Sequence, residues 1–384
     1  MRFEFATATR IIFGSGTLPE AAPLAASFGT RAFVVTGHDT KRAAALLEYL
    51  SAEGMKATVL RVTGEPTTSV AFEGAKKAKE ARSDVVISFG GGSVIDAGKA
   101  IAALMTNGGE PLDYLEVIGQ GKPITKQSAP FIAIPTTAGT GAEVTRNAVL
   151  ASMEHKVKVS LRSPLMLPRV AIVDPELTHS MPPAVTASTG LDALTQLMEP
   201  YVSIQANPLT DAISHQGLAR AGRSLRRAYE DGTDVSARED MALASLMGGL
   251  ALANAKLGAV HGFAGVIGGM YPAPHGVICA RLLPFVMETN VKAMQSRAED
   301  SPFLPRYADV AQILTGDAEA TPADGVDWVQ TLCSQLEIPG LSEFGVKKTD
   351  FLTIVSKTQN SSSMKGNPIK LTDDELSQIL DQAI

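Results

Sequence analysis

The chain has 384 residues, 45% of them hydrophobic and 19% charged, with a formal net charge of −6. That length exceeds one small core and predicts two domains of ordinary globular composition. The acidic balance, with no basic tract beyond Arg223–Arg227, excludes an electrostatic nucleic-acid binder, and two cysteines, Cys279 and Cys333, exclude a disulfide framework.

The N-terminal MRFEFATATRIIFG carries Glu4 and no apolar core, so it does not read as a signal peptide. Apolar, β-rich runs follow at 32–36, 58–62, 84–89, 131–135 and 170–174, each bounded by Gly, Pro or polar residues. Helical patterns lie between them at 40–54, 69–81 and 94–108. This alternation predicts βαβ units and a mostly parallel sheet covered on both faces. After Pro182-Pro183 the texture becomes helical throughout, with segments at 184–200, 208–228, 237–257, 304–315, 324–336 and 372–383. The last opens on Thr372 and Glu375, a capping box. The expected organisation is an α/β dinucleotide-binding domain over 1–183 and an all-α domain over 184–384. The longest apolar run, 241–255, is shorter than the ~18–20 residues of a membrane span and reads as a buried helix. A reducing, cytoplasmic location and no membrane partner are expected.

Two loops in the first half point to a bound anion. The run DVVISFGGGSVIDAGKAIA is strand, then Gly90-Gly91-Gly92-Ser93, then helix. Glycines there allow positive φ and close approach of a ligand, and the helix aims free N–H groups and its positive dipole end at the turn. The expected anion is a dinucleotide pyrophosphate, although the run is neither GxGxxG nor a Walker loop. The second loop, PTTAGTGAEVT, offers Thr136, Thr137, Thr140 and Thr145 to a phosphate, ribose or nicotinamide. Asp96 and Lys99, on the helix after the turn, either lock the turn or touch the cofactor. Gly37, at the end of the 32–36 strand, stands where many dinucleotide domains place an acid on the ribose, so NADP is as acceptable as NAD.

The segment from Gly190 to Pro284 holds a candidate metal site. Asp192 and Gln196 are one helical turn apart, and His261 and His275 offer two imidazoles. One carboxylate, one amide oxygen and two imidazoles suit a divalent ion, iron or zinc.

These segments together resemble the iron-containing, group III alcohol dehydrogenases, relatives of dehydroquinate synthase and maleylacetate reductase. The resemblance runs from about Ile11 to the C-terminus. It is carried by GGGSVIDAGK (90–99), PTTAGTGAEVT (135–145), VDPELTHSMPP (173–183), TGLDALTQLMEPYVS (189–203), PHG (274–276) with LLP (282–284), and NPIKLTDDEL (367–376). It implies an NAD(P)-binding α/β domain, a helical domain and an active site in the cleft between them. It further implies a metal on one Asp and three His: Asp192, His261 and His275 match, while the third His falls on Gln196. A further family His, assigned to proton relay, falls on Gly265.

The resemblance implies hydride transfer between nicotinamide and an alcohol, aldehyde or ketone. Catalysis is expected from Asp192, His261 and His275, with Lys158 as a positive donor near the cofactor. The alternatives are a metal-independent oxo-acid reductase, similar to maleylacetate reductase, and a non-catalytic dinucleotide-binding protein. A small alcohol or carbonyl substrate and a homodimer or larger homo-oligomer complete the expectation.

Overall fold

A computed structural model describes residues 2–155 and 157–384. They form eight strands: β1 Arg10–Phe13, β2 Arg31–Thr36, β3 Lys56–Arg61, β4 Val85–Gly90, β5 Phe131–Pro135, β6 Asn147–Ser152, β7 Val157–Arg162 and β8 Val170–Val173. Six of them make one all-parallel sheet in the order β1-β8-β5-β4-β2-β3, and β6 and β7 pair as an antiparallel hairpin. After β8, every regular element among the described residues is helical, beginning at a short 3₁₀ turn and the helix Pro183–Tyr201. The fold is thus an α/β unit with a mostly parallel sheet and an all-helical unit.

The chain divides into two compact units, one formed by Ala6–Thr137 and Gly141–His179, the other chiefly by Ser180–Ile384 with Ala138–Thr140. In the first, β2, β4, β5 and β8 are buried along nearly their whole length, as a sheet covered on both faces requires. Phe33, Val86 and Phe131 pack with the helix Gly92–Asn107, while Val34, Ile87 and Ile132 point into a separate cluster with Leu46 and Leu50. Period-two alternation of one apolar strand therefore feeds two cores.

Three expectations need correction. The sequence reading has no strand at β1, β6 or β7. β1 is a four-residue edge strand with no fully buried position, and β6 alternates buried with half-buried residues instead of forming a continuous apolar run. Helices at Ala259–Met270, His275–Arg297 and Phe351–Gln359 also go unpredicted. The first is rich in glycine, a weak helix former, and forms because packing demands it: a Cβ on Gly262 would lie 2.8 Å from Met364 Sδ. Finally, Gly90, Gly91 and Gly92 do not take positive φ. Close packing is what requires them, since a Cβ on Gly90 would meet Val94 at 2.6 Å and one on Gly91 would meet Thr137 at 3.2 Å.

Candidate metal centre and dinucleotide cradle

In the α/β unit the chain turns outward from β2 to β3, and then back from β4 to β5 on the other side. The switch of direction therefore falls between β2 and β4, whose C-terminal ends are in register at Thr36 and Phe89. A crevice beyond carboxyl ends at such a switch is where open α/β sheets bind ligands. Gly37 follows β2 there, and Gly90 ends β4 with Gly91 next. Gly91 is the N-cap of the helix Gly92–Asn107, so Gly92 and Ser93 are its first two residues and their N–H groups belong to its open end. Thr136 donates its N–H to Gly90 O at 3.0 Å, which ties the second polar loop to the glycine turn.

Other polar residues of the two loops are engaged by the protein. Lys99, 1% exposed, donates to Thr145 Oγ1 at 2.8 Å, Thr145 O at 3.2 Å and Asn147 O at 2.6 Å. Asp96 accepts from Val149 N at 3.0 Å and lies 3.6 Å from Lys99. These bonds lock the hairpin onto the helix. Burial pushes the Asp96 carboxyl up and the Lys99 amine down, with their mutual attraction opposing both shifts. Lys158 is paired with Glu65 at 2.8 Å. Asp39 caps its own helical turn by accepting from Lys41 N. Thr140 belongs to the helical unit.

The helical unit brings Asp192, His261 and His275 together. The helix Pro183–Tyr201 is buried nearly all round, as a central core helix is. Leu191, Leu194 and Leu197 fill the core, while Asp192, Gln196 and Glu199 recur at i, i+4 and i+7 on one stripe. Each of these three polar residues is at most 4% exposed. Proline at 274 precedes the helix His275–Arg297. Gly276 lets that helix close on the first, since a Cβ there would sit 2.5 Å from Ser188 O.

Glu199 orients the second ligand. One oxygen accepts from Val260 N at 2.7 Å, at the N-terminus of the helix Ala259–Met270, where a carboxylate also meets the positive dipole end. The other oxygen accepts from His261 Nδ1 at 2.7 Å. With Nδ1 holding the proton, the His261 Nε2 lone pair faces Asp192 Oδ1 at 3.4 Å. His275 Nε2 stands 3.8 Å from the same oxygen, and the two imidazole centroids are 5.5 Å apart.

Asp192 Oδ1 and Gln196 Oε1 are buried with no hydrogen-bond partner. Such atoms are costly in a folded protein unless something binds them. A buried carboxylate oxygen and two imidazole nitrogens converging on one point describe a cation site, so the residues present fit a divalent metal. The protonation tendencies agree. Burial would lower the His261 and His275 pKa values, yet Cys279 and the neighbouring carboxylates raise His261 well above the usual imidazole range and His275 to about 9. Burial would raise Asp192, and the charges of His275 and His261 hold it below the usual range instead. The cluster draws positive charge.

Two participants are absent from the sequence reading. Glu199 is signalled by its place seven residues after Asp192. Cys279 lies one turn after His275, with its Sγ 3.6 Å from His275 Nε2 and 3.9 Å from His261 Nε2. A Cβ on Gly265, one turn after His261, would find no atom within 4 Å.

The comparisons with known proteins agree over the whole length. Residues 8–175 match the iron-containing alcohol dehydrogenase family, and residues 186–384 match the C-terminal region of the Fe-containing alcohol dehydrogenase family. Alcohol dehydrogenase 4 of Saccharomyces cerevisiae (strain ATCC 204508 / S288c) is 36% identical over 387 residues, covering 97% of this chain and 96% of that protein. NAD-dependent methanol dehydrogenase of Bacillus methanolicus is 32% identical, covering 97% of each chain. A crystal structure of 1,3-propanediol oxidoreductase superposes with a TM-score of 0.93 at 32% identity, over 100% of both chains.

Proposed function

Because the chain belongs to the iron-containing alcohol dehydrogenase family, and is an NAD-dependent oxidoreductase of alcohols and aldehydes, we propose that it interconverts small primary alcohols and aldehydes at the Asp192–His261–His275 centre. The observation that carries this reading is the pair of orphaned buried oxygens, Asp192 Oδ1 and Gln196 Oε1, beside two imidazoles. When bound, a divalent ion supplies Lewis-acid polarisation of the substrate oxygen, and the nicotinamide supplies or takes the hydride. Asp192, His261 and His275 hold the ion, with Gln196 as a weaker fourth candidate. Glu199 fixes the ring of His261 and its tautomer. The side chain of His275 is 35% exposed, so substrate reaches the centre from its side.

The open space at Gly265 supports substrates with a chain beyond two carbons, in keeping with a relative named for 1,3-propanediol. In the α/β unit, Gly91, Gly92 and Ser93 offer N–H groups to the pyrophosphate. Gly37 places no carboxylate against a ribose 2′-phosphate, so NADP is accepted beside NAD. Thr137 and Thr140 remain candidates for cofactor contact. Asp96, Thr145 and Lys158 act through the scaffold, because their polar atoms are engaged there.

Among the described residues no single helix is long and apolar enough to cross a membrane. The free, buried Cys279 and Cys333 fit a reducing cytoplasm. β3 ends the sheet with Val59 41% exposed, an edge suited to pairing in a homodimer or larger assembly.

The test is steady-state oxidation of NADH and NADPH with a series of aliphatic aldehydes, before and after chelation. Turnover with both cofactors, abolished by chelator and restored by divalent metal, is the expected result. Undiminished turnover in metal-stripped protein overturns the metal-assisted reading.

A further inference from the structure

We propose that Cys279 Sγ is the fourth protein ligand of this metal centre, occupying the role that Gln196 leaves without an imidazole, and that the resulting set selects zinc over iron. The inference rests on the metal reading above and concerns only which atoms complete the site.

The geometry is that of a four-donor cage. One donor atom from each of Asp192, His261, His275 and Cys279 lies within 4.8 Å of all the others. Tetrahedral zinc with Zn–N and Zn–O near 2.0–2.1 Å and Zn–S near 2.3 Å separates its nitrogen and oxygen donors by about 3.4 Å, and sulfur from nitrogen by about 3.6 Å. The observed edges are 3.4 Å for His261 Nε2 to Asp192 Oδ1, 3.8 Å for His275 Nε2 to the same oxygen, 3.6 Å for Cys279 Sγ to His275 Nε2, and 3.9 Å for Cys279 Sγ to His261 Nε2. Along these four edges the atoms need to draw in by at most about 0.4 Å, and the two remaining edges lie within 4.8 Å.

The sequence explains how they come together. His275 and Cys279 are four apart on one helix, so they project from the same face, and Gly276 brings that helix onto Ser188, one turn before Asp192. Cys279 is fully buried, and its sulfur contacts the two imidazole nitrogens. Asp192 Oδ1, also buried, has no hydrogen-bond partner in this cage. Cys333 is different: it is buried, but its thiol donates to Ala280 O at 3.4 Å, as a structural cysteine does. With a thiolate in the set, the neutral amide of Gln196 is not needed for coordination. Thiolate favours zinc, and zinc also stands above ferrous iron in intrinsic affinity, so both effects point the same way.

X-ray absorption at the zinc edge of the zinc-loaded full chain tests the ligand directly. A sulfur neighbour at about 2.3 Å is expected. Zinc bound by nitrogen and oxygen alone overturns the thiolate assignment and leaves the metal reading standing. Failure to bind zinc while iron(II) binds overturns the zinc assignment alone, and failure to bind either overturns both. Cobalt(II) substitution adds a second readout. A near-ultraviolet sulfur-to-cobalt charge-transfer band is expected in the parent and in Cys333→Ser, and its loss is expected in Cys279→Ser with the visible bands retained. Persistence of the charge-transfer band in Cys279→Ser overturns the proposal. In anaerobic competition between equal zinc and iron(II), zinc occupancy exceeding iron by at least roughly tenfold is expected, and equal or greater iron occupancy overturns the selectivity.

Discussion

The molecule contains two buried polar clusters that look alike in composition and differ in one respect. In the α/β unit, Lys99 spends its three N–H groups on Thr145 and Asn147, and Asp96 takes the N–H of Val149. In the helical unit, Asp192 Oδ1 and Gln196 Oε1 have no partner, and the nitrogens of His261 and His275 converge on Asp192 Oδ1 at 3.4 and 3.8 Å. Both clusters bear the cost of desolvation, but only the first recovers it within the chain. A satisfied cluster is scaffold. A cluster that is complete except for a cation is a site. The same contrast separates the two cysteines, Cys333 bonded to a carbonyl and Cys279 among metal-type donors.

The largest effect that sharpens the contrast is on the scaffold side. Lys99→Met leaves the acceptors of Thr145 and Asn147 and the carboxylate of Asp96 buried without their cation. A loss of about 3–5 kcal/mol is expected, measured by urea denaturation, with no change in metal content per folded molecule. On the site side, Asp192→Asn is expected to lower kcat by roughly 10²–10³-fold, with metal content falling in parallel. The denaturation midpoint of the metal-stripped protein should move less than in Lys99→Met. Equal destabilisation by both variants would erase the distinction between the clusters.

Smaller effects follow from the supporting groups. Glu199→Gln keeps an acceptor but loses the charge behind His261, and metal affinity is expected to fall about 10–100-fold, read by competition with a chromogenic chelator. Glu143 gives a pH test inside the scaffold. Burial pushes its carboxyl up to about 7, against its backbone hydrogen bond and the attraction of Lys99. The fold therefore holds a proton that the unfolded chain releases in the ordinary carboxylate range. Its contribution to stability is full below that range and is lost as pH rises through about 7. Glu143→Gln should flatten this decline in thermal midpoint between about pH 5 and pH 7; an unaltered slope would contradict it.

Much of this architecture is legible in the sequence for a physical reason. Strands buried on both faces must be continuously apolar, so β2, β4, β5 and β8 announce themselves. The β6–β7 hairpin is half-buried and depends on bonds from Asp96 and Lys99, which no local pattern reveals. The helix that carries His261 contains four glycines between Ala259 and Met270. Its helicity comes from packing, against propensity. Of the candidate donors, Asp192, His261 and His275 stand out by residue type. Glu199 and Cys279 have equally regular spacings, i+7 from Asp192 and i+4 from His275, but a glutamate in a helix and a cysteine counted for redox state do not draw the eye to a site. Only the burial of Asp192 and Gln196 without partners gives those spacings meaning.

The most direct measurement is anomalous diffraction from crystals of the protein purified without chelator, recorded on both sides of the zinc and iron absorption edges. A single peak within bonding distance of Asp192 Oδ1, His261 Nε2 and His275 Nε2 is the predicted result. Density for water alone at that position, with Asp192 Oδ1 hydrogen-bonded to it and catalytic turnover intact, would contradict the assignment of this cluster as a metal centre.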